Sequence, residues 1–342
     1  MRTTAEVLGR PRWRGEPHRL EVWYATWTDL DTGSGYWFHV ENVAPDRGAD
    51  PHTLGWFAVF ARDAKPRLER FGPYPLASPG AALSRDAWVD VAGDSGAVTV
   101  GDGVMRGRAG SISWDLTYQD ESPPLYTFPE AVWRKQLLPA AQVVPAPAAH
   151  IAGSVTIDEN EIVLRRGLGG ISRIYGHGNA QRWAWLHADL GGGDVLEMVT
   201  ASARRPPLRR LAPLASLQLR IDGVDWPRNP LLAAPLFRTR LGLPGWSVSG
   251  TIGRSRLRVD VDMPSERCVA VGYRDPDGAA AVCTNTERAD ALITYERYQR
   301  GRWVTWRQWS LAGTAHAELG RRADDPGIDD ALLPPDFVPV TQ

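Results

Sequence analysis

Glu21-Val22-Trp23-Tyr24-Ala25-Thr26-Trp27 is dense in aromatic and β-branched residues; a turn signal follows in Asp29-Leu30-Asp31-Thr32-Gly33-Ser34-Gly35, and Tyr36-Trp37-Phe38-His39-Val40-Glu41-Asn42 repeats the aromatic pattern. Two such runs around one turn predict a β-hairpin. A turn centred near Thr32 sets Trp27 opposite Trp37 and Ala25 opposite His39. Trp23, Trp27, Trp37 and His39 then share one face. Side chains alternate with a period of two, so a slip of one residue would exchange the faces.

The same signals continue along the chain. Gly55 to Ala61 is short and apolar, Ala87 to Val91 and Ala97 to Val100 are weaker, and Gly107 to Tyr118 alternates clearly. Farther on, Ile151 to Ile157 leads into Glu161 to Leu164, and Gln181 to Ala188 meets Val195 to Thr200 across Gly191-Gly192-Gly193-Asp194. Leu217 to Ile221, Gly245 to Ile252, Arg256 to Asp262, a hairpin around Asp275-Pro276-Asp277-Gly278, and Trp303 to Ser310 complete the series. Helical periodicity is scarce, with one short candidate near Pro129 to Lys135. The expected fold is all-β: two tandem antiparallel β-barrels or sandwiches with few short helices. Pro123, Pro124, Pro129, Pro139, Pro145 and Pro147 suit an ordered crossing or linker rather than a central strand. That gives an N-terminal domain over 1–145, a C-terminal domain over 146–325 and a loosely packed Pro-rich tail over 326–342.

Composition narrows the function classes. The chain has 342 residues, 43% hydrophobic and 23% charged, which excludes disorder for most of it. Net charge is −1 without a long basic run, so no nucleic-acid partner is expected. No apolar run approaches the ~18 residues of a membrane-spanning helix, and Met1 to Glu6 does not read as a signal peptide. The expected location is cytoplasmic. Cys268 and Cys283 read as two buried thiols, although their shared face leaves a disulfide geometrically open. There is no GxxxxGK[ST], HExxH or CxxC, and the seven histidines show no metal-ligand spacing. Gly93-Asp94-Ser95-Gly96 reads as a turn, and Gly167-Leu168-Gly169-Gly170 opens no helix. No metal or other cofactor is expected.

Three features resemble the lipocalin-like superfamily that includes carotenoid 1,2-hydratase (hydroxyneurosporene synthase), tocopherol cyclase and AttH-type proteins. They are Glu21-Val22-Trp23-Tyr24 with its Gly-containing hairpin, Gly176-His177-Gly178-Asn179 followed by Trp183-Ala184-Trp185, and the order of strands, Pro-rich crossing and longer second half. The resemblance implies lipocalin-like barrels and a hydrophobic isoprenoid or polyketide-like ligand. It does not extend to the Lys-Asn-Trp-Gly of tocopherol cyclase, where this chain has His177-Gly178-Asn179-Ala180.

The chemistry concentrates between Tyr175 and Glu197. On a strand, Trp183, Trp185 and His187 share a face, and a turn at Gly191 to Asp194 brings Glu197 opposite His187 within a residue or two. A carboxylate orients an imidazole, and inside an apolar barrel the pair would deliver a proton to an alkene while indoles stabilise the carbocation. His177, flanked by glycines with Tyr175 and Asn179 nearby, is a proton donor or polar anchor at the barrel mouth. In the first half, His39 with Glu41 is the equivalent candidate, walled by Trp23, Tyr24 and Trp37. Glu21 is either an inward carboxylate paired with an arginine or a surface charge. Glu287, Arg288 and Asp290 read as a polar plug, and His316 with Glu318 as a structural or exposed pair. The expected activity is a cofactor-independent hydratase, cyclase or isomerase holding a hydrophobic small molecule in a Trp-lined barrel, with peripheral membrane contact for substrate pickup. A non-catalytic carrier of an apolar ligand and tryptophans that merely fill closed cores are the competing readings.

Overall fold

Period-two alternation is realised as two ten-stranded antiparallel sheets in a computed structural model that describes residues 4–76, 87–204, 211–323 and 325. The tail over 326–342 lies outside the described residues. The first sheet is built from β1 (Arg19–Asp29), β2 (Gly35–Ala44), β3 (His52–Phe60), β4 (Arg67–Pro75), β5 (Ala87–Gly93), β6 (Gly96–Gly101), β7 (Val104–Ala109), β8 (Ile112–Gln119), β9 (Ala140–Ile157) and β10 (Asn160–Gly176). Its order is β4-β3-β2-β1-β10-β9-β8-β7-β6-β5. The second contains β11 (Arg182–Gly191), β12 (Asp194–Ala201), β13 (Leu214–Ile221), β14 (Val224–Trp226), β15 (Phe237–Arg240), β16 (Gly245–Ile252), β17 (Ser255–Asp262), β18 (Val269–Arg274), β19 (Ala280–Gln299) and β20 (Arg302–Arg322). Here the order is β14-β13-β12-β11-β20-β19-β17-β16-β15, with β18 added on β19. The helices, α1 (Thr4–Gly9), α2 (Glu130–Lys135) and α3 (Pro230–Ala233), are short. No helix among the described residues is long and apolar enough to cross a membrane.

Both sheets curl, and side-chain hydrogen bonds rather than a ladder link strands near their ends. In the first, the Tyr74 hydroxyl on β4 donates to the Gly96 carbonyl (3.0 Å) and shares a 2.8 Å hydrogen bond with Ser95, in the β5–β6 turn. In the second, Thr239 on β15 donates to the Pro213 carbonyl just before β13 (2.8 Å). The interiors are packed. Trp23, Trp27, Tyr36, Phe38, Phe57 and Trp114 anchor the first core, and Leu186, Met198, Leu217, Trp246, Val259 and Ile293 the second.

The expected register of the first hairpin needs correction. The first hairpin pairs Trp27 with Tyr36 and Ala25 with Phe38, one residue away from the expected register. Asp29 explains the shift: its carbonyl accepts from Gly33 N–H (2.8 Å), its carboxylate accepts from Asp31 N–H and Thr32 hydroxyl, and its N–H donates to Ser34. The turn is thereby centred between Asp31 and Thr32. Trp23 and Trp27 consequently face the core, while Trp37 and His39 occupy the opposite face with Tyr24.

Among the described residues, contacts group 130–178 and 275–279 with the first compact unit, and 127–129, 179–274 and the residues from 280 onward into the second. The proline stretch runs into β9, which is an interior strand between β10 and β8. Pro145 and Pro147 are tolerated because β8 pairs only with residues 150–157 of β9, leaving the earlier part paired along one side apart from the Leu125–Val144 bridge. The thiols of Cys268 and Cys283 are free.

Candidate functional site

β1, β2 and most of β11 bury their second face as well as their core face, whereas β8 and β17 expose theirs. In the second unit, β11 sends Ala184, Leu186 and Ala188 into the packed interior, so Trp183, Trp185 and His187 take the opposite face. The indoles of Trp183 and Trp185 are therefore directed away from that interior. Cross-strand partners extend the second face: Glu197 lies opposite His187 on β12, His316 opposite His187 on β20, and Glu318 opposite Trp185. Glu318 in turn pairs with Asn285 on β19.

His187 and Glu197 are wholly buried. The carboxylate accepts from Trp185 Nε1 (2.6 Å) at one oxygen and lies 2.8 Å from His187 Nδ1 at the other. In this geometry His187 directs Nδ1–H to the carboxylate, which leaves Nε2 as the ring nitrogen that exchanges a proton. Among the described residues Nε2 has no hydrogen-bond partner. A second pair adjoins it. The His316 ring centroid is 5.8 Å from that of His187, and His316 Nδ1 is 2.7 Å from Glu287 Oε2. Burial holds Glu287 well above the usual carboxyl range. Burial, reinforced by His187, holds His316 well below the usual imidazole range. Both shifts favour the uncharged partners, a carboxylic acid beside a neutral imidazole. At the edge of the cluster, Glu318 accepts from Trp183 Nε1 (2.8 Å), and the buried Cys283 thiol lies 3.5 Å from its other oxygen. Burial, with Glu318 next, drives that thiol well above its usual range.

The first unit carries a different constellation. His39 lies flat on Trp56, with centroids 4.1 Å apart and planes at 5°, and edge-on to Trp37 at 5.8 Å. Its Nε2 is 3.1 Å from Glu41. Tyr24 completes the aromatic enclosure at 6.4 Å, its hydroxyl accepting from Gln142 (2.6 Å). Trp23 is absent from this wall. It packs under Arg173, whose guanidinium lies 4.1 Å from the indole centroid. Arg173 is paired with Glu21, both fully buried, and donates to the Leu8, Gly9, Arg10 and Val22 carbonyls. The inward reading of Glu21 is thus the structural one.

His177 belongs to the first unit and is half-buried. Its Nδ1 lies 2.7 Å from Arg19 and 2.9 Å from the His18 carbonyl, so either tautomer finds a partner. Tyr175 donates to Glu16 (2.9 Å), and burial followed by Glu16 pushes its phenol up to about 12. Asn179 follows in the connecting loop. Among the described residues no group of three or more His, Cys, Asp and Glu is arranged to hold a metal ion.

Sequence reasoning missed Glu287, read as part of an end plug, and His316, read as structural or exposed; both are buried in the cluster. A signal was present. In Ala315-His316-Ala317-Glu318 the alanines alternate with polar groups, as do Ala184 and Ala188 with Trp185 and His187, so the two strands share one patterning.

The tocopherol cyclase-like family matches residues 88–321. The chain is 50% identical over 312 residues, 91% of its length and 89% of theirs, to two Mycobacterium tuberculosis proteins, uncharacterized protein MT0513 (strain CDC 1551 / Oshkosh) and uncharacterized protein Rv0493c (strain H37Rv). Among solved structures it is similar to a putative AttH from Nitrosomonas europaea, with a TM-score of 0.56 at 15% identity, covering 89% of this chain and 92% of that one. It is also similar to kievitone hydratase from Nectria haematococca, with a TM-score of 0.51 at 10% identity, covering 94% and 93%.

Proposed function

This chain belongs to the tocopherol cyclase-like family, and from that premise we propose that it is a hydratase- or cyclase-type enzyme acting on an alkene of a hydrophobic isoprenoid or polyketide-like molecule. The observation that carries the reading is the buried acid–base set on the second face of the second sheet: Glu287 and His316, which burial biases toward their uncharged forms, beside a His187 whose Nε2 has no partner among the described residues.

In this reading Glu287 gives its proton to one alkene carbon. The charge that develops on the other carbon is stabilised by the π-face of a neighbouring indole, with Trp185 the candidate. A water, or a hydroxyl of the same substrate, adds to that carbon and loses its proton to His187 Nε2. His316, between the two, returns the proton to Glu287. Hydration and cyclisation then differ only in which oxygen adds. Glu197 keeps His187 in the accepting tautomer, and burial keeps the acid protonated near neutral pH. Water exclusion also prevents premature capture of the cation.

The test is incubation of the purified protein in ¹⁸O-water with a panel of linear polyenes and prenylated phenols, followed by mass spectrometry. Gain of labelled water, or an isomer of unchanged mass, supports the reading when Glu287→Gln and His187→Ala abolish it with folding intact. Tight binding of a panel member without conversion would instead favour the carrier.

A further inference from the structure

The β19–β20 hairpin turns at Arg300-Gly301, and the composition changes there. Residues 254–258 and 295–307 hold seven arginines against one acid, Glu296, in a chain of net charge −1. Glu296 is already taken by Arg256, at 2.5 and 2.6 Å. The next acid is Asp222 on a neighbouring turn, 3.5 Å from Arg307. Interleaved with these cations are rings that a globular surface usually hides: Trp306 is 40% and Tyr298 38% exposed. The guanidiniums lie on the rings. Arg297 is 4.1 Å from the Trp306 centroid and Arg256 4.6 Å from that of Trp303. The hairpin is braced against the turn before β17, where Tyr298 N–H donates to the Arg254 carbonyl (2.8 Å) and Arg254 Nε donates back to the Tyr298 carbonyl (3.1 Å).

We propose that this hairpin end is a docking surface for an anionic phospholipid bilayer. Amphipathic Trp and Tyr rings reside at headgroup depth. Arginine stems lie along apolar surface while their heads reach phosphates, and each cation near an anionic surface adds about 1 kcal/mol. The charge is complementary only to an anionic partner. A single-stranded nucleic acid would need open ring faces for its bases, and here the faces of Trp303 and Trp306 are covered by the protein's own arginines. The inference does not depend on the reaction proposed above.

The experiment is co-sedimentation of the full chain with vesicles of phosphatidylcholine alone or mixed with phosphatidylglycerol, at low and high salt. Binding is expected only to the anionic vesicles and is expected to fall with salt. Arg297→Gln with Arg302→Gln should weaken it about 25-fold, roughly fivefold per charge. The corresponding double lysine variant should retain it, and Trp306→Ser should weaken it without lowering the melting temperature. Equal binding to neutral vesicles, or no binding to either by the wild-type chain, overturns the proposal even if a variant misfolds. So does an oligonucleotide whose binding is lost in the glutamine variant while vesicles are ignored.

Discussion

Both units bury a histidine–glutamate pair on the face of the sheet opposite the core, yet the surroundings of the two pairs differ. His39 is clamped between Trp56 and Trp37, its Nε2 directed to Glu41 3.1 Å away. His187 leaves Nε2 without a partner among the described residues and has a second pair, His316 and Glu287, beside it. In the proposed reaction the second arrangement, an imidazole beside a carboxyl group that burial keeps toward its protonated form, moves the proton, and the first, an imidazole enclosed by rings, packs the sheet.

The comparison is broken most directly at the histidines. His187→Ala is expected to lower turnover by about 10²–10⁴-fold, whereas His39→Ala should cost about 2–4 kcal/mol of stability with turnover retained. Steady-state rates and denaturant titrations decide it, and equal loss of activity in both variants would erase the distinction. Next in size is the ion pair confined to the first unit. Arg173→Met leaves the buried Glu21 without its ion-pair partner, held by the Arg12 and Trp13 N–H groups, at an expected cost of about 3–5 kcal/mol, part of which Glu21→Gln should restore.

The pH dependence sharpens the second unit. Glu287 is raised above its ordinary 4.5, so in the folded chain it keeps a proton that the unfolded chain releases. That costs stability as pH rises above 4.5, by at most about 1.4 kcal/mol per unit. His316 is lowered from 6.5, so the unfolded chain takes up a proton first and stability falls as pH drops below 6.5. Glu287→Gln should therefore gain stability relative to wild type as pH rises from 5 to 8, in thermal melts; a constant difference would deny the buried acid. The smallest effect is expected at the hairpin tip, where Trp306→Ser should change stability by less than about 0.5 kcal/mol.

The sequence carried much of this. Alternation marked nearly every strand, and the Gly191–Asp194 turn placed Glu197 opposite His187, as the ladder has it. Residue types alone set the first hairpin one residue out of register, because the Asp29 side-chain bonds that centre its turn are not visible in them. Glu287 and His316 were undervalued for a related reason: they are 29 residues apart in the chain, and β19 and β20 bring them together across a bulged register.

What the sequence determined by itself is the period of two, and with it two antiparallel sheets and the residues that travel together on each face. Which face turns inward was decided by tertiary structure. β1 and β2 are buried on both sides along nearly their whole length, so polarity does not label their faces as it does in a half-exposed strand. Only the curl of each sheet, fixed by turn register and the hydrogen bonds near its ends, sent Ala184 and Leu186 into the core and left His187 among ionisable neighbours.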